Sequence, residues 1–316
     1  MSAVPASIEL PTSASEPELP LDDVVAGLRQ ARHAWRERQH RTREAGGREL
    51  PSAEVLDAVI EGLRGALFPL RLGPPDLRQE AEDFYVGHTL HTQLHALHGQ
   101  IQLELRYAAR HTVQTAARED GLAKRASELT RQFALSLPEI RRLLDSDVLA
   151  AFEGDPAASS VDEVLLCYPG IAAMIHHRIA HRLYRLGVPL LARMVAELAH
   201  AQTGIDIHPG AQIGPGLFID HGTGVVIGET AVIGARVRIY QAVTLGARSV
   251  PVDAEGHAQK GLPRHPIVED DVVIYAGATI LGRITLGQGA TIGGNVWVTR
   301  SVPPGTQVTQ ANSQQG

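Results

Sequence analysis

The sequence predicts an α+β protein, in which an N-terminal all-α domain is followed by a C-terminal parallel β-helix of hexapeptide repeats. Apolar residues recur at three- and four-residue spacing over the first 200 positions, and a six-residue period replaces this spacing after Gly204. Glycine is skewed in the same way, because residues 201–316 hold 19 of the 31 glycines. Aromatic residues make up only 4% of the chain, so the core must be mainly aliphatic.

The N-terminal part is predicted to be a helical domain over residues 21–203, preceded by a disordered tail over residues 1–20 that is rich in Pro, Ser and Glu. Arg and Glu dominate the polar faces of the helical pattern. Residues 136–139 (Ser-Leu-Pro-Glu) predict a helix start, since proline is favoured in the first turn. Residues 171–186 and 188–202 predict two further helices.

Residues 204–305 are predicted to form the β-helix domain. Its aliphatic residues stand six positions apart, at Ile207, Ile213, Ile219, Ile227, Ile233, Ile239, Leu245, Val268, Ile274, Ile280, Leu286, Ile292 and Val298. A small or apolar residue follows four positions after each, including Ala211, Leu217 and Thr223. Three hexads can form one turn of a triangular coil whose flat sides are short parallel strands and whose interior holds the repeated residues. The remaining residues, 306–316, are predicted to be a flexible tail.

The first break in the hexad count is a step of eight residues from Ile219 to Ile227, and it contains Asp220 and His221. A regular coil has no structural need for the extra length, so this bulge is a candidate site. Asp206 lies 15 residues before His221, and one coil takes about 18 residues. The aspartate is therefore expected near the imidazole, where it would fix the tautomer of a ring that accepts a proton from an alcohol.

The second break is a step of 23 residues before Val268, so a loop over residues 246–265 leaves the coil. The loop ends in Arg264 and His265, and the arginine offers a two-pronged donor suited to a carboxylate. The alternative interpretation is that the charged and titratable side chains at both breaks, and His208, only cap the backbone.

Composition argues against several functional classes. The net charge is −6 and the isoelectric point about 6.2, so a nucleic-acid-binding surface is not expected. No apolar run reaches the roughly 20 residues that span a membrane. Residues 1–20 lack Lys, Arg and an apolar segment, so they do not predict a secretory signal. The single cysteine, Cys167, predicts a packing role in a cytoplasmic protein without an internal disulfide.

Several short motifs together resemble the serine O-acetyltransferases of the hexapeptide-repeat acyltransferase family. They are Asp206-Ile207-His208-Pro209, Asp220-His221-Gly222-Thr223-Gly224, Gly228-Glu229-Thr230 and Arg264-His265-Pro266, preceded by Asp155-Pro156-Ala157 and Arg178-Ile179-Ala180-His181. The resemblance covers residues 155–305 well. It implies a left-handed parallel β-helix and the transfer of acetyl from acetyl-CoA to the hydroxyl of L-serine, which gives O-acetyl-L-serine and CoA on the route to cysteine.

The resemblance also implies catalytic roles. His221 corresponds to the general base, Asp206 to its orienting partner and His265 to a second active-site histidine. Direct transfer in a ternary complex is expected, without a covalent acyl-enzyme and without a metal.

Substrate contacts follow from the same resemblance. Arg264 is expected to hold the serine carboxylate, and Asp155 and Asp220 to lie near the serine amino group, with Glu229 in the same substrate site. Acetyl-CoA is expected in the groove between neighbouring β-helices, against Gly246, Ala247 and Ala276.

Assembly is expected as a homotrimer or a dimer of trimers, because the family places CoA between subunits. The loop 246–265 is longer than in many members, long enough to close over CoA or to reach a neighbouring subunit. Many members end in an isoleucine that plugs the active site of O-acetylserine sulfhydrylase. The chain ends in Gly316 instead, so no tight complex of that type is expected.

Three other functions compete with this interpretation. Another hexapeptide acyltransferase, acting on a sugar or xenobiotic, would share the coil and the histidine base. A gamma-class carbonic anhydrase would bind zinc through three histidines, for which His208, His221 and His265 are candidates. A non-catalytic homologue would keep the coil and lose the base. The large helical domain and the pairing of Asp155 with Arg264 favour the serine enzyme.

A row of histidines on a predicted helix stays open to two interpretations. His88, His91, His95 and His98 are spaced three, four and three residues apart, so they share one helical face. They form either a metal site, for example at a subunit contact, or a polar helix face.

Overall fold

The computed structural model describes residues 19–39, 50–111, 119–249, 259 and 261–313. The chain divides into two compact units, residues 1–48 and 49–316. In the first unit, helix α1 (Leu21–Arg38) carries Asp22 and Asp23 in its first turn and basic residues in its last, as the helix dipole favours, and it buries none of its residues. The expected disorder of residues 1–18 lies outside the described residues.

The second unit begins with helices. They are α2 (Ala53–Leu67), α3 (Pro69–Leu72), α4 (Glu82–His111), α5 (Glu119–Gly154), α6 (Val161–Cys167), α7 (Pro169–Arg185) and α8 (Pro189–Thr203), with a short 3-10 turn at Gln79–Ala81. The two helices predicted near 171–186 and 188–202 are confirmed as α7 and α8. Proline opens both, because its missing N–H is not needed in the first turn.

The helix start predicted at residues 136–139 is wrong, since Pro138 lies inside α5. A proline there costs one main-chain hydrogen bond. The helix continues because its apolar face is buried on both sides of the proline, through Phe133, Leu137, Ile140 and Leu144. Burial of these side chains outweighs the lost bond.

Cys167 is exposed, so the packing role predicted for it is also wrong. The inward face of α6 is made by Val164 and Leu165, and Cys167 stands at the end of this short helix on the other side.

The coil that follows is built from short parallel strands. They are β1 (Asp206–Ile207), β2 (Gln212–Ile213), β3 (Phe218–Ile219), β4 (Val226–Ile227), β5 (Val232–Ile233), β6 (Arg238–Ile239), β7 (Thr244–Gly246), β8 (Ile267–Val268), β9 (Val273–Ile274), β10 (Thr279–Leu281), β11 (Thr285–Leu286), β12 (Thr291–Ile292), β13 (Trp297–Val298) and β14 (Gln307–Val308). Each strand pairs with the third strand along the chain, except that β12 pairs with β14. The sheets are β1-β4-β7-β10-β13, β2-β5-β8-β11 and β3-β6-β9-β12-β14. These sheets are the three sides of the predicted prism.

The hexad residues fill this prism, as predicted. All thirteen aliphatic positions are buried except Ile213, which is half-buried. One of the small residues is misplaced by the prediction, because Thr223 is exposed and Val225 fills the interior instead. The extra residues of the bulge shift the inward position by two.

A buried ion pair fastens the helices to the coil. Arg178 Nη2 on α7 lies 2.9 Å from Asp147 Oδ1 on α5, and both side chains are shielded from solvent. Arg178 also donates to the carbonyl of Gly214, and Asp147 accepts from the N–H of Leu217. The helical part from residue 50 and the coil lie in one compact unit, and their separation into domains at residue 204 stays a prediction.

The coil runs to Val308, three residues beyond the predicted boundary, because Gln307 and Val308 pair with β12. A short helix, α9 (Gln310–Ser313), follows. Gly316, on which the expected lack of a tight tail-mediated complex rests, lies outside the described residues. Over the described part of the chain, no helix is long and apolar enough to cross a membrane.

Candidate active site

The bulge between β3 and β4 turns His221 outwards. The His221 backbone is left-handed, with a φ of 59°, and it is followed by Gly222 with a φ of 84°. A Cβ at Gly222 would lie 2.4 Å from the side chain of Ile205, so glycine is required there. The His221 side chain is 70% exposed as a result.

We name the residues around this bulge the His221 cluster. It consists of Asp155, Tyr168, Asp220, His221 and Arg238. Asp220 is buried, and its Oδ1 lies 3.9 Å from His221 Nε2. Arg238 Nη2 donates to Asp220 Oδ2 at 3.0 Å, and Arg238 Nη1 donates to the carbonyl of Gly154 at 2.6 Å. The arginine thereby ties the end of α5 to the bulge.

Asp155 enters the His221 cluster directly after α5. Its Oδ2 accepts a hydrogen bond from the Tyr168 hydroxyl at 2.6 Å, and its Oδ1 accepts one from the N–H of Ala157 at 2.8 Å. The Tyr168 and Ala157 hydrogen bonds lower the pKa of Asp155, and the same carboxylate raises the pKa of Tyr168 to about 12. Asp155 is therefore an oriented anion at neutral pH.

Asp206 is not hydrogen-bonded to His221 among the described residues. The first coil takes 20 residues rather than 18, because the bulge lengthens it, and Asp206 pairs in register with Val226. Its carboxylate lies close to the side chains of Glu197 and His200, with one ligand atom of each within 4.8 Å of the others. The orienting role of Asp206 toward the base therefore stays a prediction.

A second group, the Arg264 cluster, consists of Tyr184, Glu229, Thr230, Arg264 and His265. Glu229 joins two of its members, since Oε2 accepts from Arg264 Nη2 at 2.7 Å and Oε1 accepts from the Tyr184 hydroxyl at 3.1 Å. Burial alone would raise the pKa of Glu229, but the hydrogen bonds from Arg264 and Tyr184 outweigh it and lower the pKa.

His265 is buried in the Arg264 cluster and neutral. Its Nδ1 accepts a hydrogen bond from the main-chain N–H of Thr230 at 3.1 Å. Burial, and then the positive charge of Arg264, lower the pKa of His265 to about 4. A side chain on Gly228 would collide with the ring, since its Cβ would lie 2.0 Å from His265 Cδ2.

The two clusters occupy opposite ends of strand β4. His221 precedes Val226–Ile227 and Glu229 follows it. No hydrogen bond or ion pair joins the His221 cluster to the Arg264 cluster across the described part of the chain. The predicted site residues are thus brought together in two groups, not in one.

The residues expected at CoA lie on the later coils. Gly246 ends β7, and Ala276 precedes β10 by three residues. A Cβ at Gly246 would lie 2.9 Å from Leu281 Cδ2, so a side chain there would displace that methyl group. Gly246, Ala247 and Ala276 are all half-buried.

The histidines proposed for alternative functions are not gathered. His221 lies in one cluster and His265 in the other, while His208 Nδ1 accepts from the N–H of Gly210 and so caps a turn. Among the described residues, only Glu197, His200 and Asp206 form a group that could hold a metal ion. His208, His221 and His265 therefore do not form the three-histidine zinc site of a carbonic anhydrase within the isolated chain. In the row His88, His91, His95 and His98, only His98 makes a hydrogen bond from its ring, to Ser127 Oγ.

Comparison with known proteins identifies the family. No family model matches the chain. A protein of Synechococcus elongatus named serine acetyltransferase, plasmid, is 57% identical over 293 residues, which are 92% of this chain and 91% of that protein. The chain belongs to the serine acetyltransferase family. A serine acetyltransferase of Mycobacterium tuberculosis is 49% identical over 168 residues, 53% of this chain and 69% of that protein.

Solved serine acetyltransferase structures share the fold. Serine acetyltransferase 1 of Entamoeba histolytica, solved with L-cysteine, is 36% identical with a TM-score of 0.68 over 82% of this chain and 87% of that one. The enzyme of Neisseria gonorrhoeae, solved with serine, is 30% identical with a TM-score of 0.52 over 79% and 94%. The prediction of a helical part followed by a left-handed parallel β-helix is confirmed.

Sequence reasoning missed the residues that hold the site residues in place. Tyr168, Tyr184 and Arg238 contact Asp155, Glu229 and Asp220, as the hydrogen bonds above show. Arg238 is a charged residue between the apolar Val237 and Ile239 of one hexad, and this was the available signal. Tyr184 lies in α7 and Tyr168 lies between α6 and α7, where no local pattern points to the coil.

Proposed function

We propose that this chain transfers the acetyl group of acetyl-CoA to the hydroxyl of L-serine, giving O-acetyl-L-serine and CoA, the first step of cysteine biosynthesis from serine. The observation that carries the proposal is the exposed imidazole of His221 beside Asp220 and the oriented carboxylate of Asp155. The imidazole of His221 is a base for a hydroxyl, and the carboxylates of Asp220 and Asp155 are counter-ions for an ammonium group.

His221 acts as the general base. It takes the proton of the serine hydroxyl as the oxygen attacks the thioester carbonyl, and a C–O bond forms. The tetrahedral intermediate then collapses, the C–S bond breaks, and the proton passes from the imidazole to the leaving thiolate. A positioned base contributes about 10²–10⁴-fold to the rate. Asp206 is proposed to orient this ring in the assembled enzyme.

The remaining site residues bind the substrates. The guanidinium of Arg264 binds the serine carboxylate, with Glu229 holding the arginine in place. His265 supplies a neutral hydrogen-bond donor beside it. Acetyl-CoA lies along the coil against Gly246, Ala247 and Ala276, and the residues proposed for this chemistry require no metal ion.

The active enzyme is proposed to be a homotrimer or a dimer of trimers. Serine carries its ammonium and carboxylate on one carbon, yet the groups that suit them lie in the His221 cluster and the Arg264 cluster, at opposite ends of β4. A cyclic contact that joins the His221 cluster of one chain to the Arg264 cluster of the next completes the site. A cytoplasmic location, predicted from the single cysteine, stays a proposal.

The test of the base is the rate of CoA release with acetyl-CoA and L-serine. We expect His221→Ala to lower kcat by at least about 10²-fold, since the base is lost. His33→Ala, at an exposed histidine of α1, is the control and should retain the wild-type rate. Absence of serine-dependent CoA release in the wild type would overturn the function, and a near-normal rate in His221→Ala would overturn the assigned base.

A further inference from the structure

Thr230 makes an unusually complete set of hydrogen bonds with His265. Its hydroxyl oxygen accepts from the main-chain N–H groups of Arg264 at 2.9 Å and His265 at 3.1 Å. It also lies 2.9 Å from His265 Nδ1. Both acceptor positions of the hydroxyl are filled, so its single proton points to Nδ1.

The hydroxyl is not the only donor to that ring nitrogen. The main-chain N–H of Thr230 points to Nδ1 as well, at 3.1 Å. A main-chain N–H can only donate, so Nδ1 carries no proton and the neutral ring must carry its proton on Nε2. A proton on Nδ1 would face the main-chain N–H and the hydroxyl proton of Thr230, which both already point to this atom.

The rest of this corner is fixed from the next coil. Arg283 Nη1 donates to the carbonyl of Thr230 at 2.7 Å and to that of His265 at 3.0 Å. The charged and titratable groups facing the ring are Arg264, Arg283, His208 and Glu229, and the two guanidinium groups oppose a positive imidazole. Among the described residues, no protein group bonds to His265 Nε2, and this atom is not sealed from solvent.

We propose that Thr230 is a positioning residue, which holds His265 as the neutral tautomer with its proton on Nε2, so that the ring donates a hydrogen bond to the bound substrate. The proposal rests on the proposed function and adds a residue to it. His265 then serves as a donor and not as a second base.

Selective ¹⁵N-histidine labelling of the full-length protein tests the tautomer without catalysis, with the His265 signals assigned by their loss in His265→Gln. We expect an unprotonated Nδ1, a protonated Nε2 and no titration of this ring between about pH 5.5 and 8, because its pKa is lowered. A proton on Nδ1, or a midpoint near the ordinary value of a histidine, overturns the proposal, even if Thr230→Val does not fold.

Three variants extend the test to catalysis. Thr230→Val keeps the shape and the main-chain donor but removes the hydroxyl, so the His265 pKa should rise by roughly one unit. The ring stays mostly neutral at pH 6 and at pH 8 even after this rise, which starts from about 4. The weaker hold on the tautomer, rather than protonation, should therefore lower kcat/KM for serine by up to about tenfold at both pH values. Thr230→Ser should restore both properties, and Thr291→Val on β12 should change neither.

A loss of kcat/KM in Thr230→Val with the titration and the tautomer of His265 unchanged would show a merely structural role and overturn the proposal. The proposed function fails by a different result, the absence of serine-dependent CoA release in the wild type. The tautomer measurement is independent of that result.

Discussion

At the scale of the residue, Arg264 is held by one side of its guanidinium. Nη2 is occupied by Glu229 at 2.7 Å, while Nη1 makes only a long contact of 3.4 Å with the carbonyl of Leu262. The arginine thus keeps a donor for a ligand while Glu229 fixes its plane. A lysine has one point charge and cannot satisfy Glu229 and a substrate carboxylate in the same way.

Arg264→Lys should therefore raise KM for serine by about tenfold, with a smaller effect on kcat, because it weakens binding of the carboxylate more than the chemical step. Steady-state kinetics with serine varied at saturating acetyl-CoA measure both constants. Arg300→Lys, at an exposed corner residue, is the control and should behave as the wild type. An unchanged KM in Arg264→Lys would show that this arginine does not bind serine.

Single residues were predictable where they broke a pattern. His221 and Arg264 stand at the two breaks in the hexad count, and the structure places both in clusters of charged groups. The surroundings of Asp206 were harder to predict, because the prediction used a regular coil and the bulge lengthens that coil to 20 residues. Thr230 stood in the Gly228-Glu229-Thr230 motif without a role of its own, since that role depends on a loop end that meets it from 35 residues away.

At the scale of the element, the attachment of α5 and α7 to the coil depends on the Arg178–Asp147 ion pair. Both side chains are almost fully buried, and burial raises the pKa of Asp147 against the opposing effect of Arg178. Removing one partner of a buried pair leaves an uncompensated group in the interior.

We expect Arg178→Met to lower the free energy of unfolding by about 3–5 kcal/mol. The exposed pair Arg142–Glu139 offers the control, since Arg142→Met should cost less than about 1 kcal/mol. Urea unfolding followed by circular dichroism measures both. Similar midpoints for the two variants would mean that the buried pair does not fasten the helices to the coil.

Secondary-structure elements were predictable where one periodicity dominated the sequence. The six-residue period fixed the strands, because each inward residue must meet the one in the next coil. The helix start at Pro138 was mispredicted because a local proline preference competed with a buried face that extends through it. Tertiary burial decides such cases, and it is not visible in four residues.

At the scale of the whole molecule, the proposed active site is divided between two chains. The His221 cluster supplies the base and the carboxylates, and the Arg264 cluster supplies the guanidinium and the neutral imidazole. The sequence placed all of these in one site by resemblance, but it could not show that β4 separates them within a chain. That separation is a property of the folded coil.

Complementation between two inactive variants tests this central claim most directly. His221→Ala and Arg264→Ala, carrying different tags, are co-expressed and purified through both tags, and serine-dependent CoA release is measured. Each variant alone should be nearly inactive, whereas every mixed trimer retained by both tags contains an intact pair of clusters at one of its three interfaces, so about a third of the wild-type rate should return. Mixed oligomers as inactive as the separate variants would contradict a site shared between chains.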